Sequence, residues 1–477
     1  MKSADLVIND GRIVSPDSVI EASVAIRDGK ILAVGAADSM PDARETFDAS
    51  GLHILPGAID VHVHFRDPGY PTKETWATGT AGAAFGGVTT VFDMPNTLPT
   101  TATHDTVVAK HAIASSQAHV DYGLYGLLGE DTIAHVPAMI EGGIIGFKLY
   151  MGETFGRLPT PSTGAMLEAF EVVAETGKRI SLHAETASIM ARREARMREA
   201  GRCDPLAHIA ARPAIVAVEA VGRAAALAEW TGARIHILHI SSAEELRPLA
   251  EAKARGVDIT GETCPQYLFL STEDYHRFGG IIRINPPVRE PRNQEPLWSA
   301  LQSGVIDMIA TDHSPHAPEE KTRNDIWTVD CGFPGVETQM PLMLTQVDRG
   351  RASICDYVRW SAANPAKHWG LYPRKGIIQP GAEADLALVD LNREMIIDDS
   401  ALQSRSKISP WQGRRVSGLP VHTIVRGRFV MRDRQLIAKT AGWGRSVHVI
   451  QQMPVPAPRN IDLSMRKIVE RSEVRPS

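Results

Sequence analysis

The chain has 477 residues, 43% of them hydrophobic and 22% charged, which exceeds the usual size of one domain and allows a large core. A net charge of −5 and the lack of a basic cluster with interleaved aromatics exclude nucleic acid as the main partner. The sequence has no signal-peptide pattern at its start and no apolar run of membrane-spanning length. We therefore expect a cytoplasmic protein without a membrane partner.

The cysteines carry little information about function. Cys203, Cys264, Cys331 and Cys355 are scattered, with no Cys-x-x-Cys spacing, so the sequence indicates neither a disulfide framework nor a thiolate zinc site. We predict that they pack as small apolar side chains. The 17 histidines are the more informative residues.

Both ends of the chain have the pattern of a small β domain. Residues 1–55 alternate short β-type runs with turn sequences at 9–11 and 27–29. Similar runs return near the other end, so we predict a β-sandwich domain formed by residues 1–55 together with 375–450. Residues 451–477 are rich in proline and charge, which is typical of a loose tail.

The middle of the chain, residues 56–374, alternates apolar runs with helical patterns. The predicted strands are 58–64, 88–94, 120–126, 144–150, 179–184, 234–240, 257–262 and 305–312. The clearest helical patterns are 165–176, 187–200, 214–231 and 243–255. Eight strands alternating with helices predict an α/β fold, a (β/α)₈ barrel of the TIM type.

The first predicted strand of this barrel ends in a His-x-His pair. Side chains alternate along a strand, so His62 and His64 project from the same face, just before a Pro-Gly loop. Two adjacent imidazoles suit a metal ion. A pair of half-buried histidines with ordinary hydrogen-bond partners would give the same short pattern.

Further ligand-type residues end later strands. Lys148 ends the fourth strand, His183 the fifth, His239 the sixth and Asp312 the eighth. All would meet at the carboxyl-end mouth of the barrel, where barrel enzymes keep their active sites. The imidazoles and the carboxylate suit Zn²⁺ or Mn²⁺. Because an ammonium repels cations, Lys148 must either lie aside or carry an anionic modification such as a carbamate formed from CO₂.

The motif at residues 62–69, together with those four residues, resembles the cyclic amidohydrolases, and most closely dihydroorotase among dihydroorotase, hydantoinase/dihydropyrimidinase and allantoinase. The resemblance implies a metal-bearing barrel, a small-molecule cyclic amide as substrate, and a homodimer or homotetramer. It also implies two divalent metal ions. The implied ligands are His62, His64 and Asp312 for one zinc ion and His183 and His239 for the other, with carbamylated Lys148 between them.

Residues near these ligands indicate the substrate. Arg66, Asn96 and His316 match the positions at which dihydroorotases grip a carboxylate. Thr154 lies in a segment similar to the mobile loop of the animal enzyme, and Asn285 lies in another dihydroorotase-like segment. Arg66 would also suit a surface ion pair, Asn96 a turn after Pro95, and His316 a loop.

Two other segments, 262–268 and 407–411, look more like hydantoinases or allantoinases. From the sequence we predict reversible hydrolysis of dihydroorotate to N-carbamoyl-aspartate, with Asp312 as the catalytic proton carrier. The alternatives are a hydantoinase/dihydropyrimidinase, an allantoinase and, more remotely, a non-catalytic scaffold with the same fold.

Overall fold

The computed structural model describes residues 3–448, except 157 and 159. The predicted tail at 451–477 lies outside the described residues. Within the described part of the chain, seventeen strands form two sheets. They are β1 (Ala4–Val14), β2 (Val19–Arg27), β3 (Lys30–Gly35), β4 (Ala43–Asp48), β5 (His53–Pro56), β6 (Ala58–Val63), β7 (Val88–Asp93), β8 (Asp121–Leu127), β9 (Gly146–Tyr150), β10 (Arg179–His183), β11 (Arg234–Ile237), β12 (Ile259–Thr263), β13 (Met308–Ile309), β14 (Leu386–Ile396), β15 (Arg415–Val425), β16 (Arg428–Arg432) and β17 (Gln435–Leu436).

The first sheet takes strands from both ends of the chain, in the order β17-β16-β15-β14-β5-β1-β2-β3, with β4 also paired to β1. The turn predicted at residues 27–29 is confirmed, because Asp28 and Gly29 have φ of +52° and +75° between β2 and β3. The turn predicted at 9–11 is wrong. There β1 continues through a bulge, where the backbone N–H of Asp10 donates to Ser23 Oγ at 3.1 Å.

The second sheet is the predicted parallel barrel, whose eight strands follow one another from β6 to β13. The first and last strands meet where Val63 pairs with His313 and the His64 N–H donates to the His313 carbonyl at 2.7 Å. The eighth strand is shorter than predicted. The backbone N–H of Thr311 donates to the Asp60 carboxylate at 3.2 Å. A side chain therefore takes the hydrogen bond that a backbone carbonyl of the neighbouring strand would accept, and regular strand pairing ends before this residue.

Helices surround the barrel, and no described helix is long and apolar enough to cross a membrane. The predicted helix 243–255 begins later, at residue 246, because the Glu245 carboxylate binds the N–H groups of Ser241 and Ser242 and keeps the preceding turn in a 3₁₀ conformation. The helices are α1 (Trp76–Phe85), α2 (His104–Gln117), α3 (Val136–Glu141), α4 (Thr163–Ala174), α5 (Ala187–Glu199), α6 (Pro205–Ala211), α7 (Ile215–Thr231), α8 (Leu246–Ala254), α9 (Pro265–Phe269), α10 (Tyr275–Phe278), α11 (Gln294–Ser303), α12 (Pro318–Lys321), α13 (Gln339–Asp348), α14 (Ile354–Val358) and α15 (Asn364–His368).

Strand β14 shows how the two sheets share their apolar side chains. Leu386 and Leu388 pack in a core with side chains of the first sheet. The alternate residues Ala387 and Val389 pack in the large core that also contains the barrel strands and their helices. Since side chains alternate along a strand, β14 contributes side chains to both cores. The predicted domain limits themselves stay a prediction.

Candidate active site

A cavity opens at the carboxyl ends of the barrel strands. It brings together all but one of the side chains that the sequence singled out. The exception is His316, which is buried behind the wall. The predicted residues on the wall are His62, His64, Arg66, Asn96, Lys148, Thr154, His183, His239, Asn285 and Asp312.

Three of these residues form a group with the geometry of a metal site. His62 Nε2 and His64 Nε2 each lie 3.2 Å from Asp312 Oδ1. The other ring nitrogens are already bonded, His62 Nδ1 to Glu262 Oε1 at 2.6 Å and His64 Nδ1 to Asn96 Oδ1 at 2.7 Å. Because Nδ1 carries the proton in both rings, both Nε2 lone pairs face Asp312, as metal-binding histidines require.

The electrostatics of this group also suit a cation. Burial lowers the pKa of His64 to about 4 and holds the pKa of His62 well below its ordinary value, so both imidazoles are neutral. Two neutral nitrogens and one carboxylate are a donor set that Zn²⁺ or Mn²⁺ accepts.

A second pair of imidazoles lies beside the first group. His183 Nδ1 and His239 Nε2 are 2.9 Å apart, and the rings of His62 and His239 are 5.4 Å apart. His183 Nε2 donates to Glu185 at 3.0 Å, and Glu185 is ion-paired with Arg212. Burial lowers the pKa of both histidines. The fixed tautomer of His183 therefore directs its free lone pair toward His239, where both rings could hold a second cation.

Lys148 lies among these imidazoles and is only 1% exposed. Burial lowers the pKa of its amine to about 7, because the charged form loses its water. Its Nζ lies 4.6 Å from the ring centre of Tyr150. The amine is therefore neutral in a large fraction of molecules near pH 7, and a neutral amine is the form that reacts with CO₂.

Arg66 is the cationic group of the wall. It is 2% exposed, its guanidinium lies 4.4 Å from the ring centre of Phe155, and its Nε and Nη1 have no partner among the described residues. Behind it, His316 lies 3.4 Å from Arg66 Nη2 and 3.0 Å from Lys73 Nζ. The His316 ring accepts from Lys73 at Nδ1 and donates from Nε2 to the Cys331 carbonyl at 3.0 Å, so it lies next to Arg66 without accepting from it. Asn96 supports His64. The predicted contacts of Asn96 and His316 with a substrate carboxylate stay a prediction.

The backbone turns sharply where three of these side chains are placed. Arg66, His239 and Asp312 have φ of +62°, +40° and +50°, in the left-handed region that residues other than glycine rarely adopt. Each lies just beyond the end of a barrel strand. A strained backbone of this kind persists only where surrounding contacts hold it, and such positions cluster at functional sites.

Two site residues were missed in the sequence. The hydroxyl of Tyr150 is buried on the cavity wall and has no partner among the described residues. It lies two residues after Lys148 on the same strand face, which was the available signal. Glu262, at the end of the seventh strand, accepts hydrogen bonds from His62 and from His236 Nε2 at 3.0 Å. A carboxylate ending a barrel strand was the signal there.

Comparison with known proteins identifies the family. The sequence profile of the amidohydrolase family matches residues 53–430. An L-hydantoinase from Paenarthrobacter aurescens is 35% identical over 448 residues, covering 93% of this chain and 98% of that protein. This chain belongs to the amidohydrolase family. An allantoinase from Rubrobacter xylanophilus is 36% identical over 449 residues, covering 93% of this amidohydrolase and 97% of that protein.

The fold comparison agrees. The solved L-hydantoinase (dihydropyrimidinase) from Arthrobacter aurescens superposes with a TM-score of 0.91 and 34% identity, covering 94% of this amidohydrolase and all of that chain. The predicted cyclic amidohydrolase family and barrel fold are thereby confirmed. A closest relation to dihydroorotase is not supported, because these relatives are hydantoinases and an allantoinase.

Proposed function

We propose that this amidohydrolase opens the ring of a cyclic ureide, as hydantoinases, dihydropyrimidinases and allantoinases do. The observation that carries the proposal is the meeting of His62, His64, His183, His239 and Asp312 in one cavity. The relatives named above supply the substrate class. In the reaction water adds to a ring carbonyl and the ring C–N bond breaks, so that a carboxylate and an open ureido group form.

The residues present fit two divalent cations, Zn²⁺ or Mn²⁺. His62, His64 and Asp312 would hold one, and His183 and His239 the other. When bound, such ions polarise a carbonyl and lower the pKa of water. Lys148 would contribute oxygen ligands to the cations once its neutral amine has bonded to CO₂ and lost a proton to water.

Three side chains then divide the work on the substrate. Asp312 is the base that takes the proton of the attacking water and passes it to the ring nitrogen as the C–N bond breaks. The Tyr150 hydroxyl donates to the carbonyl oxygen as negative charge develops there. Arg66, whose Nε and Nη1 have no partner among the described residues, binds an acceptor on the far side of the ring.

Dihydroorotate is a second candidate substrate, and the observation that favours it is also Arg66. A buried guanidinium on a cavity wall, with two nitrogens that no described residue pairs, suits a carboxylate on the ring. The relatives favour the ureide, so we place dihydroorotate second.

A substrate panel tests the proposal. Hydantoin, dihydrouracil, allantoin and dihydroorotate are each given to the purified protein, and ring opening is followed by the loss of ring absorbance or by product chromatography. We expect the highest kcat/KM for one of the first three. Turnover should stop on chelation and return with Zn²⁺ or Mn²⁺. Preference for dihydroorotate would select the second candidate, and no ring opening with any metal-loaded sample would refute both.

A further inference from the structure

A histidine outside the cavity wall holds one of the residues that line it. His208 lies on α6 and is 1% exposed. Its Nε2 is 2.9 Å from Oδ1 of Asn285. Asn285 lines the cavity, and no described residue accepts a hydrogen bond from its amide nitrogen. The amide N–H groups of Asn285 are therefore available to a ligand.

The tautomer of His208 decides what Asn285 can offer. His208 Nδ1 is buried and has no partner in the described chain. Burial, with Arg283 and Arg212 nearby, holds the pKa of His208 well below its ordinary value, so the neutral ring carries a single N–H. A buried N–H without an acceptor is rarer than a buried acceptor without a donor. The proton therefore belongs on Nε2, which donates to Asn285 Oδ1.

We propose that His208 is a positioning residue that turns the amide N–H groups of Asn285 into the cavity. With Oδ1 held by His208, the NH₂ group is the end of the Asn285 amide left for a ligand, and a ring carbonyl oxygen is the acceptor that suits it. The inference rests on the proposed function, because ring opening supplies the carbonyl that Asn285 binds. The arrangement also adds selectivity, because a ring N–H at this position would face the amide N–H of Asn285, and two donors cannot form a hydrogen bond.

A double-mutant cycle separates positioning from a general effect on folding. His208→Leu removes the donor and should lower kcat/KM about 10- to 100-fold on whichever ring the native enzyme opens. In an Asn285→Ala background the same change should cost nothing further, because no amide is left to orient. His208→Gln, whose amide can donate to Asn285, should restore most of the activity. An equal loss in both backgrounds would overturn the inference.

The matched control is His111→Leu. His111 also has one ring nitrogen bonded to an oxygen, the Gly143 carbonyl at 3.3 Å, and one without a described partner. It lies on α2, outside the cavity wall. We expect kcat/KM to stay within about twofold of native after this change, so that a loss in His208→Leu is specific to Asn285.

The tautomer gives a readout that needs no turnover. In native protein carrying ¹⁵N-labelled histidine, NMR should show His208 neutral with its proton on Nε2. Asn285→Ala should change the signal of that nitrogen. A proton on Nδ1 would overturn the inference whether or not the enzyme is active. A native enzyme that opens no ring would instead refute the proposed function, and the NMR result would still decide the orientation of Asn285.

Discussion

Tyr150 is the residue whose contribution can be isolated most cleanly. Burial raises the pKa of its phenol, so the hydroxyl stays protonated and can donate a hydrogen bond to a ligand oxygen. Tyr150→Phe removes that one donor without changing the shape of the wall. We expect kcat to fall by about 10²- to 10³-fold, the loss typical of a single donor to a developing oxyanion. Steady-state kinetics with the accepted ring substrate measure it.

The control for that change is Tyr275→Phe. The hydroxyl of Tyr275 is also buried and without a described partner, but it does not line the cavity. Its removal should leave kcat unchanged. Bound metal, measured by atomic emission, should be equal in native protein and both variants. A tenfold or larger loss of metal in Tyr150→Phe would show that the hydroxyl supports the cation site and not the substrate.

The contrast between residues that were predicted and residues that were missed has a physical basis. His183 and Asp312 follow apolar runs, and the end of a parallel strand fixes where a side chain must lie. The partner of His62 is Glu262, 200 residues away, and nothing local in either segment specifies that pairing. His208 likewise lies on a helix and meets Asn285 only in the folded chain. Hydrogen bonds between distant segments leave no periodic pattern in the sequence.

At the scale of elements, the strands were predictable because buried parallel strands are continuous apolar runs. The bulge in β1 was not, because an Asn-Asp-Gly sequence suits both a turn and a left-handed residue within a strand. Asp10 has φ of +56° there, and pairing with β2 decides between the two. Long-range pairing thus overrides a local turn signal.

Two glycines within helices give a prediction about packing. In α1, a Cβ on Gly79 would overlap the ring of Phe65, whereas in α7 a Cβ on Gly222 would meet nothing within 4 Å. We expect Gly222→Ala to raise the free energy of unfolding by about 0.5–1 kcal/mol, because alanine favours the helix. Gly79→Ala should lower it by about 1–3 kcal/mol through overpacking.

Chemical denaturation of both variants measures these changes, and each serves as the other's control. Phe65 is fully buried and packs edge-on against Trp76, with ring centres 5.2 Å apart, so it cannot move without disturbing its neighbours. Since Phe65 lies between His64 and Arg66, Gly79→Ala should also lower turnover, and Gly222→Ala should not. Equal stabilisation by both changes would show that the α1 contact yields easily.

At the scale of the whole molecule, one buried lysine ties the two sheets together. Lys375 Nζ lies 2.7 Å from Asp121, at the start of β8 in the barrel, and 2.8 Å from Glu383. It also pairs with Asp385, next to β14 of the first sheet, and Arg426 adds a second cation on Asp121. The lysine and Asp121 are both almost fully buried. Because these charges are shielded from water, they must neutralise one another, and the cluster joins the two sheets in doing so.

Lys375→Met should lower the free energy of unfolding by about 3–5 kcal/mol, because it leaves the carboxylates of Asp385 and Glu383 without their cation. The pKa of Asp385 is already raised by burial against the pull of Lys375, so losing that cation raises it further. A carboxyl whose pKa is higher in the folded state loses stability as pH rises through that pKa. The loss of stability should therefore be larger at pH 8 than at pH 5, measured by urea unfolding at both.

The control is Lys253→Met, which removes a half-buried pair with Asp307 at 2.6 Å and should cost about 1 kcal/mol. Equal costs for the two lysines, or no change with pH, would show that the sheets are joined by apolar packing alone.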